Sequence, residues 1–204
     1  MMTKIDIEYL DKLTKDCQEI KKKIQYRNIL LDNLTISYLV TKNHSFIGYH
    51  QGYYEQIVQH QYKLKESAKI RANSKNYLEI YRDKSNDIVQ IVKYCNGHID
   101  CIHQSYMHDN KRYLVPFSST GGFYPTYIYV TVYNDADIIE EYAIEGRQII
   151  YDKYMKESDK QIAFSRINYV VGGNVPILEE MEGLITIDPL SYNEIDFDNW
   201  IRHR

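Results

Sequence analysis

Apolar residues recur along this chain with two different periods, and the change falls near residue 75. In the first stretch Leu10, Leu13, Cys17, Ile20, Ile24 and Leu31 follow one another at steps of three, four, three, four and seven, with lysines and acids between them. That stripe predicts an amphipathic helix over residues 5–32, stopped at Asp32-Asn33 because Asn tolerates a left-handed cap. The step of seven passes over Arg27 and Asn28, so the seam is imperfect. "TISYLV" at 35–40 suits either a strand or a continuation of the helix. Tyr54, Ile57, Val58, Gln61, Leu64 and Ala68 share one face of a second expected helix over 52–72. Two helices joined by a connection predict a helical hairpin.

From Tyr77 onward the period is two. "NYLEIYR", "DIVQIVKYC", "HIDCIHQSYM", "RYLVPF", "TYIYVTVY", "IIEEYAI", "RQIIYDKYM" and "IAFSRINYVV" alternate, and turn-forming residues separate them. "LITIDPL" adds a last candidate strand. The expected fold class is therefore α+β, an N-terminal helical hairpin packed on a curled or two-layered antiparallel β-meander. Residues 1–75 form the helical part, and residues 76–204 form the β part with its acidic C-terminal tail. The two are expected to fold as one cooperative unit.

Turn chemistry also predicts register. Asn96-Gly97 is a strong signal for a two-residue hairpin loop, because a type I′ turn wants positive φ at both positions. It sets Cys95 against His98, Tyr94 against Ile99, Lys93 against Asp100, Val92 against Cys101 and Ile91 against Ile102. Further on, "NDAD" sets Tyr133 against Ile138, Tyr129 against Tyr142 and Tyr127 against Ile144. The "EG" turn then sets Tyr142 against Ile149 and Glu140 against Tyr151.

Charge sharpens the division at residue 75. The chain has 204 residues and a formal net charge of −3. Residues 1–75 carry 13 Lys+Arg against 8 Asp+Glu, while residues 76–204 carry 12 against 20. A basic helical part and an acidic β part suit different partners. No apolar run approaches the roughly 18 residues of a membrane span, and the N-terminus lacks a signal-peptide core, so no membrane partner is expected. Three cysteines, an odd count without framework spacing, point to a reduced, cytoplasmic setting.

Candidate chemistry is sparse. Cys95, His98, Cys101 and His103 crowd one hairpin, but the predicted register puts Cys95 and His98 on one face and Cys101 and His103 on the other. Tetrahedral zinc needs all its ligands within about 2.0–2.3 Å of one point, so no metal is expected here. No cofactor is expected either. "SSTGG" at 118–122 is no P-loop, since neither GKS nor GKT follows. His50 and His60, with Tyr54 beside them, could serve a small nucleotide- or RNA-processing enzyme by acid–base chemistry. Ten residues apart on a helix, the two histidines are about 80° out of alignment.

Two groups look made for a partner. Tyr127, Tyr129 and Tyr133 alternate along one strand face and offer large contact area with polar ends. Glu194, Asp196 and Asp198 alternate with Ile195 and Phe197 just before Trp200, the chain's single tryptophan, so carboxylates ring an aromatic anchor. Acidic surfaces suit basic partners. The same acidity argues against nucleic acid binding through the β part, because phosphate contacts dominate such affinity. The expectation is a non-catalytic protein-binding protein of inhibitor or immunity-protein type, acting on a basic protein. The alternatives are the small enzyme and an assembly protein forming homo-oligomers through residues 5–32.

Overall fold

A computed structural model of the chain describes residues 6–41, 64–124, 127–135, 137–188 and 191–193. Among these there is one α-helix, α1 (Ile7–Lys23), and twelve strands. The strands are β1 (Thr35–Val40), β2 (Glu66–Ser67), β3 (Tyr77–Arg82), β4 (Ile88–Cys95), β5 (His98–His108), β6 (Lys111–Phe117), β7 (Ile128–Asn134), β8 (Asp137–Glu145), β9 (Gln148–Ser158), β10 (Gln161–Val170), β11 (Ile177–Asp188) and β12 (Ser191–Asn193). All twelve belong to one antiparallel sheet in the order β12-β11-β10-β9-β8-β7-β6-β5-β4-β3-β1-β2. No helix among the described residues is long and apolar enough to cross a membrane.

The expected α+β hairpin-on-meander fold is thus corrected. Among the described residues there is no helical hairpin, and the strands form one continuous sheet rather than two layers. Residues 52–63 of the expected second helix lie outside the described residues. Within its remaining part, Glu66–Ser67 is strand and pairs with Leu39 and Tyr38 at the sheet edge. Side-chain bonding favours that pairing. Arg82 donates from Nη1 to Glu66 Oε2 and from Nη2 to Glu66 Oε1, both at 2.8 Å, and Ser37 Oγ donates to Oε2 at 2.6 Å.

The first helix forms where the stripe predicts but stops short. Asp6 caps it by accepting from the Glu8 N–H at 2.9 Å. Leu10, Leu13 and Cys17 are fully buried, and they pack with Tyr113, Val115, Val130, Tyr142, Ile149 and Tyr151 on one sheet face. Ile24 is already extended and ends the helix. The chain then runs as an extended strap past β5. Arg27 N–H donates to Gln104 Oε1 at 2.9 Å, and Gln104 Nε2 returns a bond to Arg27 C=O at 2.7 Å. The Arg27 guanidinium lies over the Tyr106 ring, 4.1 Å from its centroid. A helix continued to residue 32 would forfeit these bonds. A short 3₁₀ turn (Leu31–Asn33) then leads into β1, so "TISYLV" is strand.

Bulges shift two of the predicted registers. At Asn96-Gly97, with φ of 53° and 81°, Cys95 and Tyr94 meet His98 and Ile99 as expected. A bulge between Lys93 and Tyr94 then moves Lys93 opposite Cys101, Val92 opposite Ile102 and Ile91 opposite His103. Lys93 still reaches Asp100, at 2.7 Å. A second bulge, between Val132 and Tyr133, follows the expected Tyr133–Ile138 pair and places Tyr129 opposite Ala143 and Val130 opposite Tyr142. The β8–β9 turn falls one residue later than predicted, at Gly146-Arg147, so Ile144 meets Ile149 and Tyr142 meets Tyr151. Tyr142 and Tyr151 therefore lie under α1 rather than beside Tyr129.

The opposite sheet face carries a second apolar cluster, Leu39, Leu64, Leu78, Ile80, Ile88, Ile91 and Leu114. Farther along that face lies an ionic network. Arg166 grips Asp152 through Nε at 2.6 Å and Nη2 at 2.5 Å. Thr131 and Tyr154 hydroxyls each donate to Glu141 at 3.2 Å.

Candidate functional site

The strand β3 alternates Tyr77, Glu79, Tyr81 on one face with Leu78, Ile80 on the other. Leu78 and Ile80 are buried, which pins the register and turns the two tyrosines and the glutamate to the other side. Antiparallel pairing adds neighbours. Tyr38 of β1 stands opposite Glu79, and Tyr94 of β4 stands opposite Tyr77. The face is the one that carries α1 and the strap farther along the sheet, because Tyr81 pairs with Gln90, Gln90 with Gln104 and Gln104 with Val115. All five residues are half-buried.

Glu79 is the centre of this group. Tyr81 Oη donates to Glu79 Oε2 at 2.9 Å, and Tyr94 Oη donates to the same oxygen at 3.2 Å. The Tyr77 and Tyr94 rings stack with centroids 4.4 Å apart and planes 10° from parallel. The Tyr38 ring is tilted 53° to Tyr77, with centroids 6.4 Å apart. Burial, and next the Glu79 charge, push the Tyr94 phenol up to about 12. Burial, the Glu79 hydrogen bond and the Glu79 charge raise Tyr81 as well. Both phenols thus remain donors at neutral pH. Among the described residues no lysine or arginine pairs with Glu79. A carboxylate without a cationic partner, bordered by the electron-rich faces of tyrosines, attracts cations.

The residues expected from the sequence are arranged differently. Tyr127, Tyr129 and Tyr133 are half-buried on the opposite sheet face. Tyr129 packs on the apolar cluster there and lies 6.1 Å from the His103 ring. Tyr127 Oη donates to Gln148 Oε1 at 3.1 Å, and the Arg112 guanidinium covers the Tyr133 ring. His50, His60 and Tyr54 lie outside the described residues, as do Glu194, Asp196, Asp198 and Trp200. Cys101 Sγ and His103 Nδ1 are 3.6 Å apart and buried, whereas Cys95 is exposed. No group of three or more metal-ligating side chains occurs among the described residues.

Two other clusters invite a chemical role, and neither supports one. Burial, reinforced by the charge of Asp152, pushes Glu141 up to about 8, yet Glu141, Asp152 and Arg166 are all sealed from solvent. A substrate could not reach them. An open surface hollow of about 230 Å³ between α1 and the β5–β6 turn is lined by Asp16, Glu19, Lys23, His108, Asp109 and Lys111. Its charges are mixed and solvated, and its His108–Asp109 pair, 3.3 Å apart, is exposed.

The tyrosine–glutamate group was half visible in "NYLEIYR", whose alternation puts Tyr77, Glu79 and Tyr81 together. Tyr38 and Tyr94 join only through pairing with separate strands. The chain matches no protein-family model, no curated protein and no solved structure.

Proposed function

We propose that this chain is a non-catalytic protein-binding protein, of the inhibitor or immunity-protein kind, whose partner is a basic protein. The observation that carries the reading is Glu79 set among Tyr38, Tyr77, Tyr81 and Tyr94 on an accessible stretch of sheet. Tyrosines give contact area at low entropic cost, and their hydroxyls tolerate both water and a partner. A central carboxylate supplies charge preference, and the net charge of the β part adds long-range attraction for a basic surface. Rigid β-strands hold all five side chains, so little ordering would be required on binding.

The test compares wild type with the Tyr77→Ala/Tyr94→Ala variant, each immobilised and exposed to the same native lysate at low and high salt. The expected result is a basic protein retained by wild type, lost by the variant and released as salt rises. A partner retained equally by both would move the interface away from this group. A retained acidic protein, or retention insensitive to salt, would overturn the reading.

A further inference from the structure

The bonding of Glu79 also discriminates between the two kinds of basic side chain. Both tyrosine hydroxyls converge on one oxygen, Oε2. A carboxylate oxygen has two lone-pair sites, so two donors occupy it. Among the described residues, Oε1 accepts no hydrogen bond. Glu79 thus offers a single free oxygen, not a pair.

This matters because a guanidinium binds a carboxylate best as a fork, with two parallel N–H···O bonds to the two oxygens, whereas an ammonium is a point charge that needs one. The same sheet shows the contrast. Glu66 Oε2 accepts one hydroxyl, from Ser37, and Glu66 still receives the Arg82 fork. Glu79 Oε2 already accepts two, so a fork there would have to displace a tyrosine. The rings add a seat for a compact cation. Tyr94 covers one face of Tyr77, and Tyr38 leans toward Tyr77 from the next strand. Since Tyr38 and Tyr77 have centroids 6.4 Å apart, a cation between them lies within the roughly 6 Å reach of cation–π attraction of both.

We propose that the Glu79 site receives an alkylammonium group, the side chain of a partner lysine, in preference to arginine. The ammonium donates to Glu79 Oε1 and rests against the Tyr38 and Tyr77 rings, while Tyr81 and Tyr94 hold Oε2. This identification of the contacting side chain rests on the basic-partner reading above. It assigns Tyr81 and Tyr94 a specificity role: their hydroxyls close the second oxygen against a fork.

Titration with Nα-acetyl-lysine-methylamide and Nα-acetyl-arginine-methylamide, followed by NMR shifts of the tyrosine ring protons, tests the idea on the intact chain. Lysine should bind at least about fivefold tighter than arginine, the weight of one ordinary hydrogen bond. Glu79→Gln, which keeps the shape and the two phenol bonds to an amide oxygen, should lose lysine binding. The Tyr81→Phe/Tyr94→Phe variant keeps the rings and frees Oε2, so it should gain arginine binding and narrow the preference. It also serves if Glu79→Gln does not fold. Arginine binding as tightly as lysine to wild type would overturn this inference and leave the basic-partner reading standing. An unchanged preference in the double phenylalanine variant would overturn the role of the hydroxyls. If neither cation shifts the tyrosine signals at millimolar concentration, the site is no cation seat, and only the lysate comparison then decides the basic-partner reading.

Discussion

Gln104 holds Arg27 as a neighbouring strand would: its amide oxygen accepts from the Arg27 N–H at 2.9 Å and its amide nitrogen donates to the Arg27 carbonyl at 2.7 Å. The same nitrogen donates to Gln90 Oε1 at 3.0 Å, and Tyr106 Oη donates to Gln104 Oε1 at 3.0 Å. One buried side chain thereby ties the extended strap to the sheet. Replacing it with leucine keeps the volume but strands the Gln90 amide and releases the Arg27 backbone groups. Gln104→Leu should cost about 1–3 kcal/mol by denaturant unfolding, the ordinary cost of stranding a buried polar group such as the Gln90 amide, while the groups of the exposed Arg27 can turn to water. Amide exchange at Arg27 should accelerate by more than exchange within α1. Equal acceleration in both would mean that the strap and helix release together.

His103 predicts an acid limit. It is fully buried, and burial, followed by the charge of Lys93, holds its pKa down at about 3 against an ordinary 6.5. The folded state therefore favours the neutral ring. Its contribution is present above pH 6.5 and is lost as the pH falls from there toward 3. In wild type the decline should show below about pH 4.5, where the Glu141 titration no longer opposes it. His103→Phe should flatten the decline, and an equally steep profile in the variant would show that other groups set the acid limit.

Glu141 predicts the opposite limb. Its pKa is raised from 4.5 to about 8 by burial and then by the charge of Asp152, so the folded state favours the protonated acid. A raised folded-state value gives stability that is present below 4.5 and is lost as the pH rises toward 8. Between 4.5 and 6.5 the His103 and Glu141 slopes oppose one another, and the stability maximum should fall there. Glu141→Gln removes the titration; its carbonyl oxygen accepts from one of the Thr131 and Tyr154 hydroxyls, and its NH2 donates to the other, since the two hydroxyls bond different oxygens. Thermal unfolding between pH 6.5 and 8.5 should show the variant losing less stability than wild type across this range.

How much of this was legible depends on how local each determinant is. Leu10, Leu13 and Cys17 lie at helical spacing and are buried on the sheet, so α1 could be read from its stripe. Its end could not, because the competitor for residues 24–30 is Gln104, some 77 positions away. Asn96-Gly97 fixed its own turn, and the two flanking pairs followed. Beyond that, a bulged residue slips the register, and nothing in the alternation of "KYCNGHID" marks Asp100 as the extra one. Over its described residues, 64–72, the expected second helix gives way for a similar reason. Leu64 and Ala68 fit helical spacing, but Glu66 answers to Arg82 and Ser37 on two other strands.

The candidate site divides along the same line. Tyr127, Tyr129 and Tyr133 were rightly placed on one strand face, but which face α1 covers is a tertiary fact. The side chains of Tyr38, Glu79 and Tyr94 belong to three strands, and β1 reaches β3 only after the intervening residues 41–76.

Gly183 supplies a prediction whose sign runs against the usual rule. Replacing a strand glycine with alanine at a permissive site stabilises by about 0.4–1 kcal/mol, because the unfolded chain loses freedom. Gly183 stands opposite Phe164, whose ring lies over its backbone. An added Cβ would meet Phe164 Cε1 at 2.5 Å and Cζ at 3.1 Å. Phe164 is buried, so its ring cannot swing aside into solvent. Gly183→Ala should therefore destabilise, by about 1–3 kcal/mol, the ordinary cost of overpacking. Phe164→Leu alone also destabilises, through lost packing. If the ring is what collides, the double variant should lose clearly less than the two single losses added together, since the smaller side chain makes room for the methyl group. Additive losses in equilibrium unfolding would mean that the alanine acts on the backbone of β11 and that Phe164 does not depend on this glycine.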